Sequence, residues 1–313
     1  MLPAKIVQDG TSKDRAAAPE LGASVSDGPT SASPESKQLG SVVVARDASY
    51  VVHAYRSFEF ATFEAVAGQA VALVSATLEP ARDAALAVAG LVHPTAGSLT
   101  VLGVELAASD ARRLWRRAAE PLPRGAVGVG AFKGLLDVDE MQTVEEAVAS
   151  ETVLRGTSAD EAGILDYLAE LGLATNVDQQ VCQLDPAARA RLSLALACAG
   201  GVSVAVCDLD DPFVGGLSAA DACVVAKAAQ AFATRHGACV VLASREPAVA
   251  DVVPAFALDL VSADALAARA ASEASAGRSA QSDANAREDA GASGTRVIGD
   301  PAMRSGHEGG DAR

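Results

Sequence analysis

Lysine is scarce. The chain has 5 lysines against 20 arginines in 313 residues, and its net charge is −15. An acid excess of that size excludes a non-specific nucleic-acid binder, which needs a cationic footprint to displace counterions from phosphates. It also excludes a protein held on anionic lipid by charge alone. Aromatic residues are only 4% of the chain, so the core must be built mainly from small aliphatic side chains. The five cysteines, Cys182, Cys198, Cys207, Cys223 and Cys239, are odd in number and include no C-x-x-C pair. They suit neither a disulfide framework nor a zinc site. Cys198, Cys207 and Cys239 lie inside apolar runs and read as buried small hydrophobes. The uncharged apolar stretch Leu192 to Cys207 falls short of a membrane span and is broken by Gly200-Gly201. Met1 to Gly10 has no apolar segment of the kind a secretory signal carries. These absences predict a cytoplasmic protein with no nucleic-acid partner and no direct membrane insertion.

What the chain does have is apolar length. Half of its residues are hydrophobic, and alanine supplies 70 of them. Residues 1–40 are rich in Ser, Pro, Ala and Gly and show no hydrophobic period. Residues 264–313 are almost free of Leu, Ile, Val and Phe. Such segments bury too little apolar surface to offset the entropy of ordering. Both are expected to be disordered tails, with the Ala-rich stretch Asp264 to Ser272 able to extend a last helix. The folded unit is expected at 41–263.

Within that unit, strands and helices alternate. "SVVVARDASYVV" and "SFEFATFEAV" read as paired, half-buried strands. "GQAVALVS", "AVGVGAF", "VSVAVCD" and "ACVVLAS" are short apolar runs of the kind buried on both faces of a sheet. "SLTVLG" is a further strand opened by the turn "HPTAG". Helices are predicted over Ala81–Gly90, over 105–117, over Thr143–Leu154 and across "SAADACVVAKAAQAFATRHG". Ser158 and Glu161 match a capping box ahead of "ADEAGILDYLAELGL". Asp185-Pro186 gives a cap and a first-turn proline to "AARARLSLALACAG". The alternation predicts an α/β fold with a mostly parallel sheet covered on both faces.

The order and spacing of these pieces resemble the ATP-binding subunit of an ABC transporter, over roughly 41–262. The stretch Gly68 to Gly103, "GQAVALV" and then "AALAVAGLVHPTAGSLTVLG" after nine residues, resembles that family's strand, phosphate loop, helix and P-T-x-G turn without a gap. "MQTVEEAV…RG" resembles the start of its helical subdomain. "LDPAARARLSLALACAGG" resembles the segment opened by its signature motif, "VSVAVCD" the strand bearing its acidic motif, and "GACVVLASREPAVAD" its last core strand and switch loop. The resemblance implies a P-loop NTPase-like cassette: a mostly parallel sheet, an N-terminal antiparallel β part and a helical subdomain at about 140–195.

The same resemblance implies a nucleotide site whose chemistry this chain has replaced. The nine positions of the phosphate loop read Ser75-Ala76-Thr77-Leu78-Glu79-Pro80-Ala81-Arg82-Asp83. Ala81 stands at the lysine position and Arg82 at the magnesium-binding Ser/Thr. A phosphate cradle works by aiming backbone N–H groups at anionic oxygens, with glycines allowing close approach. Here no glycine remains, Pro80 has no N–H, and Glu79 and Asp83 bring negative charge. Those carboxylates suit a helix start that caps itself, and Arg82 remains as a cation that an anion can meet. Asp185-Pro186-Ala187-Ala188 stand where the family has Ser-Gly-Gly-Gln. The acidic motif aligns in two ways. Counting from Leu184 puts the magnesium-associated Asp at Asp208, whereas motif shape matches Asp210-Asp211-Pro212 to Asp-Glu-Pro. Arg245 takes the switch-histidine position and Phe132 that of a Gln. Tyr50 stands where the family stacks an aromatic on adenine.

The candidate remnants of a nucleotide site are therefore Tyr50, Ser75, Thr77, Arg82, Asp83, Asp208, Asp211 and Arg245, with no catalytic or metal-binding residue assigned. No cofactor is assigned; ATP and Mg are implied if the site functions. The resemblance implies a non-hydrolysing subunit at the inner face of the cell membrane. It would partner an integral membrane permease or a catalytic paralogue, as one member of a dimer, with Leu135, Leu136 and Met141 as apolar docking candidates. The alternatives are a functional ATP-binding subunit powering transport, and an acidic α/β domain that binds a ligand or protein.

Overall fold

A computed structural model describes residues 40–106, 121–157, 160–259 and 262–271. The expected tails lie outside the described residues, except that residues 262–271 are helical and so run past the expected domain end at 263. The helix expected over 105–117 falls outside them from residue 107 onward.

The two opening strands form an antiparallel pair, β1 (Ser41–Val52) with β2 (Tyr55–Val66). β4 (Ala96–Val101) and β5 (Val104–Glu105) complete a four-stranded sheet in the order β2-β1-β4-β5. The second sheet has five strands, β6-β7-β8-β3-β9, and every pairing in it is parallel. Its members are β3 (Ala70–Val74), β6 (Val127–Val129), β7 (Val204–Asp208), β8 (Cys239–Ser244) and β9 (Ala255–Ala257). All residues of β3, β7 and β8 are buried. This is why these runs are apolar throughout rather than alternating: both faces are covered.

Side chains of β3 alternate between two apolar layers, as a pleated strand requires. Ala70, Ala72 and Val74 join the cluster built from α4 (Pro186–Cys198) and α5 (Ala219–His236), with Leu192, Leu194, Val225 and Phe232. Val71 and Leu73 join the opposite cluster, with Ala84, Ala85 and Val88 of α1 (Leu78–Val88) and Phe58, Phe63 and Leu99 of the antiparallel sheet. Cys198, Cys207 and Cys239 are buried as expected. Burial pushes the thiols of Cys207 and Cys239 up to about 12.

Helix starts follow local chemistry. Thr143 and Glu146 form a reciprocal capping box on α2 (Val144–Leu154). Asp185 caps α4, accepting from Ala188 N at 2.7 Å, with Pro186 in the first turn. Ser218 caps α5, which closes on Gly237 at φ 69°, a left-handed conformation that glycine adopts without strain. α3 (Glu161–Glu170) differs from expectation. Its cap is Asp160, which accepts from Gly163 N at 2.9 Å, and Ser158 lies outside the described residues.

The edge strand β6 approaches α4 closely. A Cβ on Gly128 would overlap the Ala197 carbonyl, and one on Gly130 would overlap Ser193. The alternating glycines of "VGVGAF" are therefore a packing requirement. Ser193 Oγ accepts from Ala131 N at 3.0 Å in the same contact.

Candidate functional site

In open α/β sheets, ligands bind at the carboxyl ends of the strands. Here those ends carry Ser75 after β3, Asp208 to Asp211 at the end of β7 and Arg245 after β8. Only Ser75, Ala76 and Thr77 separate β3 from α1, which begins at Leu78. Of the nine positions 75–83, the last six are therefore helical. Thr77 holds the N-cap position without a side-chain capping bond. Ser75 does that work: its Oγ accepts from Ala81 N at 3.1 Å and donates to Thr77 O at 2.5 Å. Self-capping was expected from Glu79 and Asp83, and the geometry differs. Asp83 Oδ2 instead accepts from Tyr55 Oη at 2.8 Å, which ties α1 to β2. Ala76 N donates to Asp259 Oδ2 at 2.7 Å. A carboxylate of the chain thus occupies one of the loop's backbone donors.

Arg82 was expected to be open to an anion. Its charge is instead met inside the protein. Nη1 pairs with Asp211 Oδ2 at 2.9 Å, and Nη2 donates to Lys133 O at 3.2 Å. The guanidinium lies 5.4 Å from the centre of the Phe132 ring. Asp211 is fully buried and also accepts from Lys133 N at 3.0 Å and Phe213 N at 2.8 Å. A buried carboxylate needs such partners to offset its desolvation.

Asp208 is treated differently by the same turn. Its Oδ1 accepts from Asp210 N at 3.0 Å, and among the described residues its Oδ2 has no hydrogen-bond partner. Burial above all, helped by the nearby charges of Asp211 and Asp210 and opposed by the Asp210 N–H and Arg82, brings its carboxyl up to about 7. Asp210 turns outward to Arg245, accepting from its backbone N at 2.5 Å and from Nε at 3.1 Å. Two guanidiniums thus face three carboxylates, and the one left over is Asp208.

The fold brings Arg82 to Asp211, sets Asp208 within their field, and joins Arg245 to Asp210. It does not add Tyr50 to that group. Tyr50 packs in the hairpin, 6.3 Å from the ring centres of Tyr55 and Phe58. Sequence reasoning missed Asp259, Lys133 and Tyr55. Asp259 carries the signal that drew notice to Asp208, an acid just after an apolar strand. Lys133 acts through its backbone, which leaves no sequence signal. Of the two alignments of the acidic motif, both place an Asp at the strand end, but Asp211 is the one that meets α1.

The segment after β6 forms a compact turn beside this cluster. Leu135 N and Leu136 N donate to Phe132 O, Gly134 N to Asp137 Oδ1 at 2.9 Å, and Met141 N to Asp139 Oδ1 at 2.9 Å. Phe132 is fully buried, whereas Leu135, Leu136 and Met141 are 51%, 42% and 66% exposed. They are surface residues, not core. Leu136 also lines an open groove of about 740 Å³ with Val129, Val138, Leu154, Arg155 and Leu196. Among the described residues no group of three His, Cys, Asp or Glu could hold a metal, and no helix is long and apolar enough to cross a membrane.

Solved structures resemble this chain. A protein of Pyrococcus furiosus described as an ABC transporter ATP-binding protein is 17% identical, with a TM-score of 0.52, over 69% of this chain and 96% of that one. A nucleotide-free ATP-binding cassette from an ABC transporter is 10% identical, with a TM-score of 0.49, over 70% of this chain and 88% of the other. A transporter described as of the metal-chelate ABC type, in an inward-facing conformation, is 12% identical, with a TM-score of 0.49, over 70% of this chain and 79% of the other. No family model matches the chain, and no curated protein does. The first likeness establishes the fold, an α/β cassette of the ABC ATPase type with a parallel sheet and an antiparallel β part.

Proposed function

We propose that the protein is a non-hydrolysing relative of ABC transporter ATP-binding subunits, which acts by docking on an integral membrane transport protein through the face of Leu135, Leu136 and Met141. The observation that carries this reading is the Arg82–Asp211 pair, set in a helix that begins at Leu78. Phosphoryl transfer needs a backbone cradle, a magnesium ligand and a group that positions the nucleophile. The residues present do not fit a triphosphate. Six of nine cradle positions are helix, Pro80 offers no N–H, Asp259 takes the Ala76 donor, and Arg82 is held by Asp211. Asp210 likewise engages Arg245, so both arginines at these strand ends are met by carboxylates of the chain. The exposure of Leu135, Leu136 and Met141, with Leu136 lining a groove, supports a docking role, because exposed large apolar side chains are what interaction sites present.

A catalytic paralogue is the second candidate partner, since a cassette with emptied motifs can complete a mixed dimer. A functional ATP-binding subunit is favoured by the Oδ2 of Asp208 at the strand end, which has no hydrogen-bond partner among the described residues.

The deciding experiment is isothermal titration of the full chain with ATP, with and without magnesium, alongside thermal unfolding. The expected result is no binding heat and no stabilisation at millimolar ATP. Micromolar affinity would overturn the reading, because ligand at a hundredfold excess over Kd stabilises by about 2.7 kcal/mol.

A further inference from the structure

We infer that the Arg82–Asp211 ion pair stands in for a bound ligand and holds the 132–141 segment in a fixed, docking-ready shape. The inference rests on the docking role proposed for Leu135, Leu136 and Met141, and concerns how that face is presented. Three separate pieces of chain converge on the pair: the second turn of α1, the turn after β7, and the start of the 132–141 segment. Asp211 accepts from Lys133 N with both oxygens, at 3.0 and 3.1 Å. Arg82 donates to the carbonyl of the same residue at 3.2 Å and covers the ring of Phe132. Both backbone groups of Lys133 are thus fixed by one ion pair. Its side chain reaches Glu140 at 3.7 Å, near the far end of the segment. The Phe132 carbonyl, anchored next door, accepts from Leu135 N and Leu136 N and sets the turn that exposes both leucines.

A segment held by side chains of its own protein does not need a nucleotide to order it. Arg82 and Asp211 come from elements that are 18% and 0% exposed at these side chains, so the anchor is shielded from screening by solvent. The geometry makes Arg82 a positioning residue. It does not touch a partner; it fixes the backbone that presents the residues which would.

The test is hydrogen exchange on the full chain, read peptide by peptide. In the charge-free variant R82M/D211N, amides of 133–141 should exchange about tenfold faster, because local opening there costs less. Amides of β8 and α5 should be unchanged. Arg82→Lys keeps the charge but loses the planar fork, and should give a smaller acceleration in the same peptides. If the double variant does not fold, Arg82→Lys decides alone. Unchanged exchange over 133–141 in a folded variant overturns the inference. So does slowing of these amides in the unmodified protein on adding millimolar ATP, since the segment would then await a ligand. The docking role is read separately, by retention of L135D/M141D on membranes from cells that express the protein natively. Loss of retention with normal exchange supports docking. Unchanged retention overturns docking and leaves the exchange result standing.

Discussion

Asp208 and Asp211 stand on one turn, yet Asp211 holds an arginine and two backbone N–H groups, while Oδ2 of Asp208 has no partner among the described residues. The difference follows from direction. Asp211 points toward α1 and the 132–141 segment, where donors converge. Asp208 ends β7 and is buried there, where among the described residues no donor reaches its Oδ2.

That contrast predicts a pH dependence. Asp208 titrates at about 7 in the folded chain, against an ordinary value of 3.8. A raised folded value means the folded state holds the proton more tightly. The contribution is full below about pH 4 and is lost as pH rises through about 7. Its size is on the order of 2–4 kcal/mol. Urea unfolding at pH 5 and pH 8 should show lower stability at pH 8. Asp208→Asn should reduce the difference and stabilise the protein at pH 8. An equal difference in the variant would contradict the assignment.

The Arg82–Asp211 pair predicts a non-additive cycle. Breaking a buried pair from one side leaves an uncompensated charge and costs about 3–5 kcal/mol. Arg82→Met and Asp211→Asn should each fall near that range. The double variant should cost less than the sum, because no charge is stranded. Chemical denaturation of the four proteins measures the coupling.

Arg155 predicts a large loss from one surface-proximal side chain. It donates to the carbonyls of Leu196, Ala197 and Ala199 and pairs with Glu151 at 2.7 Å. A cation set on the last carbonyls of α4 also suits the helix dipole. Arg155→Ala should cost about 2–3 kcal/mol, as charge-assisted bonds do. Arg155→Lys should recover less than half of it, since an ammonium cannot span the fork. Thermal unfolding gives both values.

The signature position yields a functional prediction. Asp185→Ser with Pro186→Gly should leave α4 capped, because serine caps as well as aspartate. Phosphate release from ATP should stay at background. Hydrolysis by this double variant would show that the positions around Ser75 to Asp83 form a working cradle after all.

Several elements were legible in the sequence because their causes are local. Asp185 with Pro186 is a cap made within a few residues and forms as expected, and the expected helix start near Thr143 is fixed by an equally local capping box with Glu146. The apolar runs of β3, β7 and β8 are buried on both faces. The α3 cap was misplaced because two candidate caps, Ser158 and Asp160, lie two residues apart, and spacing alone does not choose between them. Arg82 was read as available because a sequence lists charges without their partners. Asp211 lies far along the chain from Arg82, and Lys133 meets that pair through backbone atoms only.

The sequence by itself determined the order of strands and helices, the glycines that let β6 approach α4, and the acidic, small-residue character of the chain. These follow from periodicity, caps and side-chain volume, which act over a few residues. Only the tertiary structure decided that Arg82 meets Asp211, that Arg245 meets Asp210, and that Asp208 is left over. Those outcomes depend on which strand ends lie side by side, and the parallel order β7-β8-β3 brings together residues more than a hundred positions apart.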